Sequence, residues 1–82
     1  MKYRVHTRSG AMYTLDTEEG TWTRRTPNSG QGILGISTDH GTLNPDAPLM
    51  VTIGDRLYID ILIDGQASFI LTTQVVSAED IT

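Results

Sequence analysis

Apolar and polar residues alternate at a period of two along most of the chain, in short runs separated by glycine-containing breaks. Tyr3, Val5 and Thr7 alternate with Lys2, Arg4, His6 and Arg8, and Ala11, Tyr13 and Leu15 alternate with Met12, Thr14 and Asp16. A period of two places successive side chains on opposite faces of a strand. Val, Ile, Thr and Tyr dominate these runs, as a pleated, half-buried surface requires. The pattern predicts strands near 2–8, 11–16, 21–26, 33–38, 49–53, 56–62 and 66–76. The sole expected helical turn lies around Ser77–Ile81, with Ser77 as its cap.

Parity fixes the expected register of the turns. A three-residue loop Arg8-Ser9-Gly10 pairs Thr7 with Ala11, Val5 with Tyr13 and Tyr3 with Leu15, and all six share one face. Gly10 then takes the left-handed position of a bulged type I turn. A four-residue turn at Thr17-Glu18-Glu19-Gly20 sets Leu15 opposite Trp22 and Tyr13 opposite Arg24, with Arg24 lying across the Tyr13 ring. In the C-terminal hairpin, a loop of Ile63-Asp64-Gly65 pairs Ile61 with Ala67, Ile59 with Phe69 and Leu57 with Leu71. A two-residue Asp-Gly loop instead pairs Ile59 with Ile70. The three-residue form is preferred because it matches apolar to apolar residues. Residues 27–32 and 39–48 read as loops, the second pinned by Pro45 and Pro48.

These elements add up to a single all-β domain over 1–82. The expected architecture is a small curved barrel or two-sheet sandwich of five to seven mostly antiparallel strands. Its expected core is Tyr3, Val5, Tyr13, Leu15, Trp22, Ile36, Val51, Ile53, Leu57, Ile59, Ile61, Phe69, Leu71 and Val75.

Composition narrows the functional classes. The chain has 82 residues, 38% hydrophobic and 20% charged, with no cysteine. Disulfides and thiolate chemistry are therefore excluded. The basic N-terminus has no apolar run behind it and does not read as a signal peptide. Gly65–Ala78, the longest stretch without charge, is too short and polar to cross a bilayer as a helix. The expected setting is the cytoplasm of a host cell or a virion. The net charge of −4 disfavours duplex nucleic acid, whose binding rests on many neutralised phosphates.

Charge is unevenly spread. Lys2, Arg4, Arg8, Arg24 and Arg25 outnumber Asp16, Glu18 and Glu19 in the first 25 residues, and Arg56 alone faces seven carboxylates beyond them. Lys2, Arg4, His6 and Arg8 form a stripe on one face of the first strand, and Arg25 shares that face two strands away. Such a stripe is either a solvated sheet face that blocks aggregation or a docking face. The docking alternatives are an acidic protein partner, self-association with the acidic half, and a phosphorylated ligand.

Other motifs carry less. Gly30-Gln31-Gly32-Ile33-Leu34-Gly35 matches the dinucleotide pattern by letter, but no crossover helix follows it. Ser29, Gly30, Gln31 and Gly32 remain a candidate backbone cradle for an anion. Asp39 and His40 read as a turn start and a solvated turn residue, without metal-ligand spacing. No serine sits in a nucleophile elbow, and Glu18-Glu19 and Glu79-Asp80 are exposed pairs unsuited to acid–base work. No enzyme activity, cofactor or metal is expected.

The pattern Tyr3-Arg4-Val5-x-Thr7-x-Ser9-Gly10-x-x-Tyr13-x-Leu15-Asp16, with Trp22-x-Arg24 and Thr72-Thr73-x-Val75-Val76, resembles small β-rich proteins of actinobacteria and their tailed phages. The resemblance covers the N-terminal third and the C-terminal strand, and the middle departs from it. It implies an accessory protein of a phage or mobile element and supplies no catalytic residue. Three functions follow as expectations: an interaction module that binds, and inhibits, a host or virion protein; an oligomeric protein that sequesters a phosphorylated small molecule or nucleotide; and a structural accessory of the virion. The uncharged run Ser68–Val76 is expected to be a central strand or an edge covered by a second copy in a homo-oligomer.

Overall fold

A computed structural model describes residues 1–27 and 36–82, with Pro27 and residues 36–38 described by backbone alone. Six antiparallel strands close into a barrel in chain order: β1 (Lys2–Thr7), β2 (Met12–Asp16), β3 (Thr21–Pro27), β4 (Ile36–Leu43), β5 (Arg56–Ile63) and β6 (Gln66–Asp80). Closure gives every strand a bonded neighbour on each side along part of its length, as in a small barrel.

The first meander follows the alternation. Tyr3 pairs with Leu15 and Val5 with Tyr13, and Leu15 pairs with Trp22 and Tyr13 with Arg24. At the first turn, Thr7 N–H donates to Ala11 O and Gly10 N–H to Thr7 O, both at 3.0 Å. Gly10 has φ 92°, the left-handed conformation that a bulged three-residue loop needs. The odd residues Val5, Thr7, Tyr13 and Leu15 and the even Trp22 all point into the barrel and are buried.

The second hairpin turns differently from the expectation. Ile63 pairs with Gln66, Ile61 with Ser68, Ile59 with Ile70 and Asp60 with Phe69. The loop is the two-residue Asp64-Gly65, with φ 51° and 79°. Two consecutive positive-φ residues make a type I′ turn, whose twist matches the flanking strands. The preference for the three-residue loop, which matched apolar residues across the pair, is therefore overturned. The turn is set by the strong Asp-Gly signal, and apolar side chains remain on the outer face.

β6 also overrides simple alternation. Its register slips once against β5, between Arg56 and Tyr58, and once against β1, between His6 and Thr7. Each slip is a bulge that changes the parity of inward residues. The inward set is Ile70, Thr72, Val75 and Ala78, with spacings of two, three and three. The expected core residues Phe69 and Leu71 are consequently outside, 57% and 51% exposed. Thr72 is buried, and its hydroxyl accepts the Leu57 N–H at 3.0 Å, satisfying the ladder at the first slip.

Three further expectations change. Ser77–Ile81 is not helical: β6 continues to Asp80, since β1 supplies backbone partners as far as Tyr3. Residues 49–53 do not form a strand. Leu49 and Val51 pack on the core, but Ile53 is 65% exposed next to Gly54, whose φ of 94° turns the chain. Residues 39–43, read as loop, belong to β4, where Leu43 joins the core. The expected strand at 33–38 is present from Ile36, and its earlier residues and the Ile36 side chain lie outside the described parts.

Candidate interaction surfaces

With Val5, Tyr13 and Trp22 inward, their strand neighbours face out in rows set by register. Lys2 stands beside Asp16 and Asp16 beside Thr21. Arg4 stands beside Thr14, Thr14 beside Thr23, and Thr23 beside His40. His6 stands beside Met12, and Met12 beside Arg25. The stripe of Lys2, Arg4 and His6 and the Arg25 two strands away thus share the outer face, and Arg8 sits exposed on the adjoining turn.

The face is less uniformly basic than its sequence. β6 lies next to β1 and brings Glu79 opposite Arg4 and Ser77 opposite His6. The Arg4 guanidinium meets Glu79 at 3.5 Å, and His6 Nδ1 lies 3.3 Å from the Ser77 hydroxyl. Asp16 sits beside Lys2, and its Oδ1 accepts the backbone N–H of Glu18 and Glu19, each at 3.0 Å. The Glu19 N–H above all holds its carboxyl below the ordinary value; desolvation opposes it, and the Glu18 N–H, Lys2 and the N-terminus add to the lowering. Arg8 and Arg25 pair with no carboxylate among the described residues.

Arg24 belongs to the inward parity of β3. It neighbours Tyr13, but its guanidinium is taken by Asp39 of β4 rather than by the ring face. Nε donates to Asp39 Oδ2 at 3.1 Å, and Nη2 donates to the same oxygen. This hydrogen bond, partly opposed by desolvation and aided by Tyr13, raises the arginine above its ordinary value. Asp39 therefore serves as a strand residue in an ion pair, not as a turn start, and His40 is an exposed strand residue. The candidate anion cradle Ser29, Gly30, Gln31 and Gly32 lies outside the described residues.

A second surface is built from Phe69 and Leu71, which were expected in the core, together with Tyr58. On the outer face of β5 and β6, Tyr58 and Phe69 stack with ring centroids 5.0 Å apart and planes 12° from parallel. Leu71 pairs with Tyr58 across the strands. Tyr58 is 48% exposed. The signal that would have found it is the Asp64-Gly65 dipeptide, since a two-residue turn puts Phe69 and Leu71 outside at once.

Among the described residues, the concave sites are modest. A cavity of about 100 Å³ lies beneath Asn44–Leu49, bounded by Leu43, Ile59 and Asp60. Ligand pockets typically measure about 300–1,000 Å³. Open depressions of about 290 and 360 Å³ lie beside Tyr58 and at the β5–β6 turn. Among the described residues, no group of three or more His, Cys, Asp or Glu is placed to hold a metal ion. Among the described residues, no helix is long and apolar enough to cross a membrane.

The class that these features define is a small closed antiparallel barrel carrying a polar, partly basic wall and an apolar wall. No family model, curated protein or solved structure matches the chain.

Proposed function

We propose that the protein is a non-enzymatic interaction module that binds an acidic protein partner through the outer face of β1–β3. The observation that supports this reading most directly is the pair Arg8 and Arg25, outward and without carboxylate partners among the described residues. Around them the face carries His6, Met12, Thr14 and Thr23, side chains that donate hydrogen bonds or pack without repelling an anion. Arg4 contributes less, because Glu79 already occupies it. The sequence resemblance supports a setting in a phage or mobile element, where a small module binds and inhibits a host or virion protein. A role as a structural piece of the virion uses the same face.

Binding to acidic peptides, measured by fluorescence anisotropy at low and high salt, tests the reading. Affinity is expected to fall with salt and to be lost in Arg8→Gln/Arg25→Gln, since rim charges act mainly through steering. Equal binding by the wild type and the double variant at both salts would overturn it.

A further inference from the structure

β6 is bonded to two different neighbours along its length. Residues 66–74 run beside β5 and residues 75–80 beside β1. Among the described residues, no backbone group pairs with the other edge of Gln66–Thr72. The two-residue turn decides which groups point there. In such a hairpin Ile63 and Gln66 exchange both hydrogen bonds, as do Ile61 with Ser68 and Ile59 with Ile70. The N–H and C=O of Ala67, Phe69 and Leu71 are thereby directed away from β5, toward the unbonded edge. Their side chains lie on the outer face, with Phe69 stacked on Tyr58.

We propose that this edge pairs with the same edge of a second copy of the chain, antiparallel, about a two-fold axis at Phe69. Antiparallel pairing of a strand with itself is self-complementary, as a two-fold interface requires. Only the register centred on Phe69 sets all three edge residues against one another, with Ala67 opposite Leu71 and Phe69 opposite Phe69. Charge favours this edge over the rest of the surface. Two chains of net charge −4 repel, yet Gly65–Ala78 carries no charge, so the ladder forms without like charges in register. Exposed edges are ordinarily blunted by Lys, Pro or a bulge. Ala67–Leu71 has neither residue, and both slips of β6 lie beyond Leu71. The half-exposed rings of Tyr58 and Phe69, with Leu71, supply roughly 600–800 Å² of apolar surface over two copies. That is the scale of a weak interface that dissociates on dilution. This surface is separate from the basic face.

Sedimentation equilibrium from micromolar to millimolar protein tests the proposal, with Phe69→Lys and Ala67→Pro as variants. Phe69→Lys places a charge on the two-fold axis. Ala67→Pro deletes an N–H that faces away from β5. The wild type is expected to dimerise with rising concentration, and both variants to stay folded and monomeric, Phe69→Lys losing in melting only what its stack on Tyr58 contributes. Phe69→Cys, in a chain with no other cysteine, is expected to form a disulfide-linked dimer under mild oxidation, because Cα atoms of a hydrogen-bonded pair stand about 5.5 Å apart. A wild type that remains monomeric to millimolar concentration would overturn the proposal. So would dimerisation unchanged in Phe69→Lys, or a dimer lost in Arg8→Gln/Arg25→Gln, which would move the interface to the basic face.

Discussion

The indole of Trp22 fills the space in which a side chain at Gly41 would stand. The two residues are register partners on β3 and β4, and a Cβ at Gly41 would lie 2.7 Å from Trp22 Nε1 and 2.9 Å from Cε2 and Cζ2. Glycine is needed there for close approach. Gly41→Ala is expected to destabilise the fold by about 1–3 kcal/mol, the range for overpacking. Trp22→Ala should cost about 3–5 kcal/mol through the cavity it leaves. Urea denaturation of each variant checks both values.

Trp22 Nε1 is buried without an acceptor among the described residues. An unsatisfied buried donor costs about 1–3 kcal/mol. Trp22→Phe removes that donor while keeping a ring, so it is expected to lose far less stability than Trp22→Ala. In a double-mutant cycle, Gly41→Ala should be milder on the Trp22→Phe background, since the atom closest to the added methyl is gone. Additive losses would count against the contact.

Asp64 is the one described residue other than glycine with positive φ, at 51°. Asp and Asn tolerate this conformation, whereas a β-branched residue is strained by about 1–2 kcal/mol. Asp64→Asn should melt like the wild type, and Asp64→Val several degrees lower. Gly65→Val, at φ 79°, should be at least as damaging. Thermal scans of the three variants decide.

The carboxyls of Asp16 and Asp80 are both held below their ordinary value. For Asp16 the main cause is the Glu19 N–H, and for Asp80 the Thr82 hydroxyl and then the Thr82 N–H. A group whose folded value is depressed adds stability above its unfolded value and loses it as pH falls through the folded one. Melting temperature should therefore drop as pH falls below about 4, the ordinary carboxylate range. Asp16→Asn should flatten that drop.

Arg4 and Glu79 form an exposed pair, with side chains 43% and 57% accessible. Such pairs contribute about 0–1 kcal/mol. Arg4→Gln/Arg8→Gln/Arg25→Gln is thus expected to leave melting nearly unchanged. A variant that fails to fold would assign these arginines a structural role that their outward position does not support.

How far the fold could be read depended on whether one strand kept one parity. In β1, β2 and the first turns of β3 it does. The pairs Tyr3–Leu15, Val5–Tyr13 and Leu15–Trp22 follow from alternation and two turn lengths alone. β6 breaks that condition twice, and no local residue marks the slips. They are fixed by closure, which makes one strand serve β5 and β1 in different directions. Leu43 was missed for a related reason: Gly41 and Asn44 suggest a loop, but Trp22 and Leu62 hold that segment as a strand. The basic stripe was legible as an outward row because it sits on β1. Its partial neutralisation was not, because Glu79 reaches Arg4 only through the barrel seam. The Tyr58–Phe69 stack was hidden by preferring matched apolar pairs over the geometry of the Asp-Gly turn.

The seam between β1 and β6 joins Tyr3 to Asp80, with Ile81 N–H donating to Lys2 O at 2.8 Å. It is the pairing of greatest sequence separation in the barrel, and its loop-closure entropy is correspondingly large. The pairings within the β1–β3 meander are local and can form early. Closure waits for the far end of the chain, so high contact order sets the folding rate. During synthesis, residues 2–7 must remain unpaired on one side until residues 75–80 have been made. For that interval the nascent chain exposes a naked strand whose own arginine, histidine and lysine side chains guard it against the wrong neighbour.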